Sequence, residues 1–165
     1  MRVLVVTASR HGATEEIGEA IARRLVERGF DVRTREASEA DGLERYGAVV
    51  LGSAVYMGRW LPPAREFAEA HEHDLRERPV WVFSSGPIEG KPAGAPADEK
   101  LLAERIGARG HTVFAGRLDR KQLHFGERAL TALGGSPEGD FRDWDAVAAW
   151  ADEIADQLVA VSVRG

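Results

Sequence analysis

The feature that most constrains the fold of this chain is a set of short apolar runs that no polar residue interrupts. Val3–Val6 is the first of these runs, and Ala48–Leu51 is another. Between them, Ile17, Ile21 and Leu25 recur at the spacing of one helix face. An unbroken, β-branched run is typical of a strand buried on both faces, as in a parallel sheet that helices cover on both sides. The sequence therefore predicts a doubly wound α/β fold.

The same patterning predicts five strands and the helices that connect them. The strands are Val3–Val6, Asp31–Arg35, Ala48–Gly52, Pro79–Phe83 and His111–Ala115. The first helix ends at Gly29, a second spans Pro63–Leu75, a third carries Leu101, Leu102 and Ile106, and the last carries Trp144, Val147, Ala151, Ile154 and Leu158. With right-handed crossovers, these elements give a five-stranded parallel sheet with helices on both faces.

The length of 165 residues fits one domain, residues 1–165, because a single core commonly serves about 100–200 residues. Residues 119–143 are interpreted as an insertion between the fifth strand and the last helix. Loops that long in a compact domain are usually functional or mobile. We therefore regard His124, Phe125 and Arg128 as candidate contacts with a substrate or partner, and a structural cover over the fifth strand as the equal alternative.

Composition and charge exclude several classes of protein. The formal net charge of -5, from 22 basic and 27 acidic residues, argues against a nucleic-acid partner. The absence of Cys excludes disulfides, thiolate zinc sites, iron–sulfur clusters and a cysteine nucleophile. The N-terminal apolar run is too short for a signal peptide, and no stretch approaches the roughly 20 apolar residues of a membrane span. We therefore expect a cytoplasmic protein without a transmembrane segment.

The loop after the first strand has the composition of a phosphate-binding turn. It offers hydroxyls at Ser9 and Thr14, a flexible position at Gly12 and a positive charge at Arg10, and it leads directly into a helix. Backbone amides and the positive end of the helix dipole favour an anion at such a place. The same residues are also compatible with a simple cap, in which Ser9 or Thr14 only satisfies the helix N-terminus.

Two further loops follow strands that are predicted to neighbour the first one in the sheet. The loop Gly52–Trp60 carries Tyr56, Met57 and Trp60, which suit a flat apolar ligand; the alternative is that Tyr56 and Trp60 pack onto the following helix. The loop Phe83–Gly90 supplies small residues whose backbone amides could bind the edge of a ring. Since ligands of open parallel sheets bind at the carboxyl ends of the strands, the three loops together predict a mononucleotide site for a planar ring system.

These loops resemble those of flavodoxin-like FMN proteins over the whole chain. The pattern Ser9-x-x-Gly12-x-Thr14-Glu15 is similar to their phosphate loop, and the segments Ser53–Trp60 and Ser84–Ile88 are similar to the two loops that flank the isoalloxazine. The resemblance implies FMN as cofactor and the strand order 2-1-3-4-5. The residues that it implies as FMN contacts are Ser9, Arg10, His11, Gly12, Ala13, Thr14, Ser53, Ala54, Val55, Tyr56, Met57, Gly58, Ser84, Ser85, Gly86, Pro87 and Ile88.

Within this family the chain is most similar to the branch typified by menaquinone-dependent protoporphyrinogen oxidase. That branch has a glycine pair in the second loop, matched here by Gly52 and Gly58, and a last helix led by Trp, matched by Trp144. The phosphate loop departs from the flavodoxin pattern, since Arg10 and His11 replace the usual hydroxyls and Ala13 replaces the usual Asn before Thr14. The resemblance implies an FMN-dependent oxidoreductase with a redox partner or a small-molecule substrate such as a quinone or a porphyrinogen.

The same residues exclude some other functions and leave others open. A receiver domain needs a phosphoacceptor Asp after the third strand, where this chain has Gly52-Ser53, and the Gly-rich motifs of P-loop and dinucleotide-binding proteins are absent. A flavodoxin-type electron carrier without its own substrate and a flavin-free interaction domain stay open, as does a homodimer. No catalytic residue is nominated, because the flavin itself carries the electrons. We interpret His71–Asp74 as a solvated helix end and not as a metal site, because residues two apart on a helix do not share a face.

Overall fold

Five parallel strands form the centre of the structure, a computed structural model that describes residues 1–86, 96–118, 139–140 and 142–165. They are β1 (Arg2–Ala8), β2 (Asp31–Glu36), β3 (Ala48–Tyr56), β5 (Val80–Ser85) and β6 (Gly110–Phe114). Their order in the sheet is β2-β1-β3-β5-β6. Because β5 and β6 are the predicted fourth and fifth strands, this order confirms the flavodoxin-like arrangement expected from the resemblance.

Helices connect the strands and lie on both faces of the sheet. They are α1 (Ala13–Glu27), α2 (Pro62–Ala70), α3 (Glu72–Arg76), α4 (Ala97–Arg105) and α5 (Trp144–Arg164). A short strand β4 (Arg59–Trp60) pairs antiparallel with the end of β3, and β7 (Arg117–Leu118) pairs with β8 (Gly139–Asp140) in a separate ribbon. The prediction of one helix over Pro63–Leu75 is wrong, because the backbone leaves helical geometry at His71, with φ -110° and ψ 19°.

The core has two halves, one on each face of the sheet. On β1, Leu4 and Val6 pack with α2, α3 and α4, whereas Val3 and Val5 pack with α1 and α5. Successive side chains of a strand point to opposite faces, so a strand between two helix layers has to be apolar at every position. This is the physical basis of the unbroken apolar runs. Trp144, the first residue of the predicted apolar stripe of the last helix, is 40% exposed.

The predicted insertion at residues 119–143 falls largely outside the described residues. Of this segment, the structure describes the backbone of Gly139 and the residues Asp140, Arg142 and Asp143. His124, Phe125 and Arg128 lie outside the described residues, so their part in substrate or partner contact stays a prediction.

Candidate functional site

The register of the sheet brings the three predicted loops to one edge. Ala8 at the end of β1 lies opposite Ser53 of β3, and Ala54 of β3 lies opposite Ser85 of β5. The loop that precedes α1, the turn that follows β3 and the residues that follow β5 are therefore neighbours. This edge holds the carboxyl ends of the strands, where ligands of open parallel sheets bind.

The start of α1 has a glycine as its N-cap residue. Gly12 occupies the N-cap position with φ 83°, its carbonyl oxygen accepts a hydrogen bond from the amide of Glu16 at 3.0 Å, and the described residues show no side-chain cap hydrogen bond there. A residue with a side chain is strained at this φ, which explains a glycine here. Because Gly12 and not Ser9 or Thr14 is the N-cap residue, the reading of these hydroxyls as a simple cap does not describe the structure. The Thr14 side chain is buried, at 1% exposure.

Two arginines hold this loop from the far end of the chain. Arg117 Nη2 donates to the carbonyl oxygen of His11 at 3.4 Å, and Arg142 Nη1 donates to the carbonyl oxygen of Ala13 at 3.4 Å. Both guanidinium groups also pair with the carboxylate of Glu16 on the first turn of α1. They therefore fix the backbone of the loop, while the carboxylates that they pair with balance their charges. Sequence analysis missed both, because only the fold brings residues more than 100 positions apart into contact.

Arg142 forms ion pairs with both Glu16 and Asp140 beside the start of α1. Its side chain is 5% exposed, its guanidinium bonds Asp140 at 2.6 Å, and it lies 4.6 Å from the ring centroid of Trp144. The hydrogen bond from Arg142 lowers the pKa of Glu16 and that of Asp140 below their ordinary values. The two carboxylates are thus held ionised, and the stabilisation that they give Arg142 requires their charge.

We expect Arg142→Met to lower the free energy of unfolding by on the order of 1 kcal/mol at neutral pH, since the carboxylates are about half exposed and partly screened. The lowered pKa values of Glu16 and Asp140 stabilise the folded protein at pH values above the ordinary pKa of a carboxyl group. The difference in unfolding free energy between the wild type and Arg142→Met should therefore shrink as the pH falls through the pKa values that the two carboxyls have in the folded protein. Urea unfolding at several pH values measures it. Arg23→Met, which removes an exposed charge from α1, is the control. An equal, pH-independent loss in both variants would contradict the prediction.

The predicted loop Gly52–Trp60 is a β-hairpin and not a loop. Strand β3 continues to Tyr56, which pairs with Arg59 across a two-residue turn. Met57 and Gly58 form this turn with φ 53° and 74°, as in the type I′ turns that suit tight hairpins. Among the described residues, Met57 is the one residue other than glycine with such a φ. Its side chain is 71% exposed, so the hairpin presents a strained, apolar tip at the site.

Arg10 and Tyr56 connect the first loop to this hairpin. Arg10 Cζ lies 4.1 Å from the centroid of the Tyr56 ring, which is a cation–π contact. Sequence analysis placed both residues at the site but did not predict that they stack. The contact brings an aromatic surface and a positive charge together beside the start of α1.

The buried serines support the hairpin from below. Ser53 and Ser84 are fully buried. Ser53 Oγ accepts a hydrogen bond from the amide of Leu61 at 3.0 Å and donates to the carbonyl oxygen of Ala54 at 2.8 Å. Ser84 Oγ accepts from Trp60 Nε1 at 2.7 Å. Both hydroxyls therefore fasten the hairpin, and a direct contact of these residues with FMN stays a prediction.

The third predicted loop is described only at its beginning. Ser85 is 5% exposed, and the amide of Gly86 donates to the carbonyl oxygen of Phe114 at 2.8 Å with φ 104° at the glycine. Pro87 and Ile88 lie outside the described residues, so their predicted contact with FMN remains untested.

The described parts of the chain contain no group of three His, Asp or Glu side chains placed to hold a metal ion. His71 Nδ1 lies 4.0 Å from Asp74, whereas His73 Nε2 lies 3.5 Å from Glu77, so the two histidines face different carboxylates. Of the helices described, none is both long and apolar enough to span a bilayer.

Comparison with known proteins agrees with this geometry. A family model described as flavodoxin domain matches residues 4–143. The chain is 27% identical to the protoporphyrinogen IX dehydrogenase [quinone] of Escherichia coli K12, over 94% of this chain and 95% of that one.

Two solved structures have the same fold. The flavodoxin of Streptococcus pneumonia TIGR4 superposes with a TM-score of 0.65 at 19% identity, over 95% of this chain and 99% of its own. Oxidised flavodoxin 2 of Bacillus cereus superposes with a TM-score of 0.64 at 21% identity, over the same two fractions. Since the family model spans most of the chain, this protein belongs to the flavodoxin domain family.

Proposed function

We propose that this protein is an FMN-dependent oxidoreductase that takes electrons from a small molecule and passes them to a quinone. Membership of the flavodoxin domain family implies that it binds a flavin. The observation that carries the choice of FMN is the start of α1, where the N-cap residue is a glycine and the described residues provide no side-chain cap for the helix amides. FMN has a terminal phosphate that fits such a place.

The described residues leave room for this cofactor beside an ordered loop. Arg117 and Arg142 hold the backbone of the phosphate loop, while Glu16 and Asp140 balance their charges. The turn Met57-Gly58 leaves open space, since no described atom beyond its chain neighbours lies within 4 Å of a Cβ built at Gly58. We assign the phosphate to Ser9–Thr14, one side of the ring to Ala54–Gly58, and the other to Ser85–Ile88. FMN supplies the electron-transfer chemistry when bound, and no side chain of the protein has to exchange electrons.

The residues of the chain bind, orient and cover the cofactor in this proposal. Met57 offers an exposed apolar side chain, next to Tyr56, whose ring stacks with the guanidinium group of Arg10. Arg59 follows on β4 and is also exposed, so the turn presents a positive charge and no acid from Ala54 to Trp60. A positive charge near a flavin favours the addition of electrons, which suits an oxidoreductase that accepts two electrons from a substrate.

The proposed substrates rest on the relative from Escherichia coli, whose printed name gives protoporphyrinogen IX and a quinone. We propose the same pair of substrate classes for this chain, in the cytoplasm. The alternative of an electron carrier is favoured by the structural similarity to flavodoxins, which are small enough for this chain to cover nearly their whole length. A homodimer stays a prediction of the sequence.

The experiment that tests the proposal is FMN binding followed by substrate assays. We expect the fluorescence of FMN to be quenched when FMN is added to the purified protein. The dissociation constant should be below about 1 μM, equivalent to roughly 8 kcal/mol of binding free energy. Riboflavin, which lacks the phosphate, should bind at least tenfold more weakly. Oxidation of protoporphyrinogen with reduction of a quinone would then support the oxidoreductase. FMN binding with no turnover of either substrate would favour the carrier, and no FMN binding at tens of micromolar would overturn the proposal.

A further inference from the structure

A buried carboxyl group lies directly beneath the flavin-facing hairpin. Glu99, in the first turn of α4, is fully buried, and its Oε2 accepts a hydrogen bond from Ser84 Oγ at 2.6 Å. Ser84 Oγ in turn accepts from Trp60 Nε1 at 2.7 Å. A single line of hydrogen bonds therefore runs from the return strand of the hairpin, through β5, to the carboxylate of Glu99.

Two observations make this line more than ordinary packing. Glu99 Oε1 is buried and has no hydrogen-bond partner among the described residues, which is costly for a carboxyl group and needs a reason. The preceding residue, Asp98, also holds the hairpin, because its Oδ2 accepts a hydrogen bond from the amide of Trp60 at 3.0 Å. The start of α4 thus fastens the hairpin through both the backbone and the side chain of Trp60.

We propose that Glu99 is a positioning residue for the FMN site, which holds the hairpin through Ser84 and Trp60 more tightly when its carboxyl group is ionised than when it is protonated. In the ionised form every donor of the line has an acceptor, and the negative charge strengthens both bonds. In the protonated form the added proton can lie on Oε1, where no described group accepts it. It can also lie on Oε2, where it interferes with the hydrogen bond that the Ser84 hydroxyl donates to that oxygen. The role toward FMN rests on the proposed function, whereas the coupling to Trp60 does not.

The surroundings determine which form is present near neutral pH. Burial raises the pKa of Glu99, the hydrogen bond from Ser84 opposes this rise, and the other ionisable groups that influence it are His111 on β6 and Asp98 and Lys100 on α4. A carboxyl group with a raised pKa changes its charge closer to neutral pH than an exposed one. The hairpin can therefore respond to pH under conditions in which exposed carboxylates stay ionised.

The first test follows the indole resonance of Trp60 in the protein without cofactor. After sequential assignment of the wild-type protein, the Nε1–H signal is followed by NMR from about pH 4.5 to pH 9, which spans the range of raised carboxyl pKa values. We expect a downfield shift as the pH rises, and its loss in Glu99→Gln. His111→Gln should retain the shift, which excludes titration of that histidine as its source. A Trp60 signal that stays still in the wild type, or that moves equally in Glu99→Gln, overturns the proposal.

The second test measures the FMN dissociation constant over the same pH range. We expect wild-type affinity to increase about threefold to tenfold across the transition seen by NMR, as for the gain of one hydrogen bond, beyond the change in Glu99→Gln. Trp60→Phe keeps the charge of Glu99 and removes the indole donor, so it should lose this extra increase as well. If Trp60→Phe keeps it, the charge acts directly on FMN, and the positioning role is wrong. If FMN does not bind at any pH, the proposed function and the role toward FMN both fail, while the NMR result still decides the coupling.

Discussion

Replacing Gly52 with alanine is expected to lower the free energy of unfolding by at least about 2 kcal/mol, because the core has no room for one methyl group there. A Cβ built on Gly52 would lie 2.0 Å from Cζ and 2.2 Å from Cε1 of the Phe83 ring. The ring cannot move aside easily, since it is fully buried and packs 5.8 Å from the Phe114 ring and 5.9 Å from the Trp150 ring. Urea unfolding of Gly52→Ala and the wild type measures the loss.

A double-mutant cycle separates this clash from any other effect of the substitution. Leucine at position 83 lacks the ring atoms that a Cβ at Gly52 would meet, so Gly52→Ala should cost little in a Phe83→Leu background. The backbone of Gly52 needs no positive φ, so the coupling should account for nearly the whole loss. A similar cost in both backgrounds would show that the close approach to Phe83 is not the cause.

The fold could be predicted from the sequence because its main signal is local. Every position of the run Val3–Val6 is apolar because each of its side chains is buried against one of the two helix layers. The order of the strands came from the resemblance in the loops, since no local pattern states which strands are neighbours. The break at His71 was missed because the apolar spacing of Phe67 and Leu75 is compatible with one continuous helix.

The loops of the candidate site could be predicted from the sequence, but the residues that hold these loops in place could not. The tight turn Met57-Gly58 escaped detection because methionine is uncommon at positive φ, where Asn or Asp before glycine is the usual signal. Glu99 and Arg142 carry no motif, and each acquires its role from partners on other elements of the fold. In the sequence they read as ordinary charged residues of helix ends. Only the three-dimensional structure shows that both are buried beside the site.

Introducing a negative charge at the start of α1 is expected to have the largest effect on FMN binding. In Ala13→Glu, a carboxylate would lie in the first turn, next to the place that we assign to the phosphate. The carboxylate and a phosphate in neighbouring positions would repel each other by a few kcal/mol at an effective dielectric constant near 20. Allowing for solvent screening, we expect the FMN dissociation constant to rise by about tenfold to a hundredfold, equivalent to roughly 1.4–2.7 kcal/mol. Fluorescence quenching at low ionic strength measures it.

This substitution should leave the fold intact, because an acidic residue in the first turn of a helix interacts favourably with the helix dipole. Two variants serve as controls. Ala13→Gln introduces a side chain of nearly the same shape as Glu but without charge, so it should bind FMN close to the wild-type level. Val26→Glu places the same charge at an exposed position near the other end of α1, away from the proposed phosphate. Riboflavin binding should be nearly equal in all of these proteins, since riboflavin has no phosphate to repel. If Ala13→Glu weakens FMN and riboflavin equally, or binds FMN as the wild type does, the phosphate does not lie at the start of α1. The cofactor would then have to enter this edge of the sheet in a different orientation.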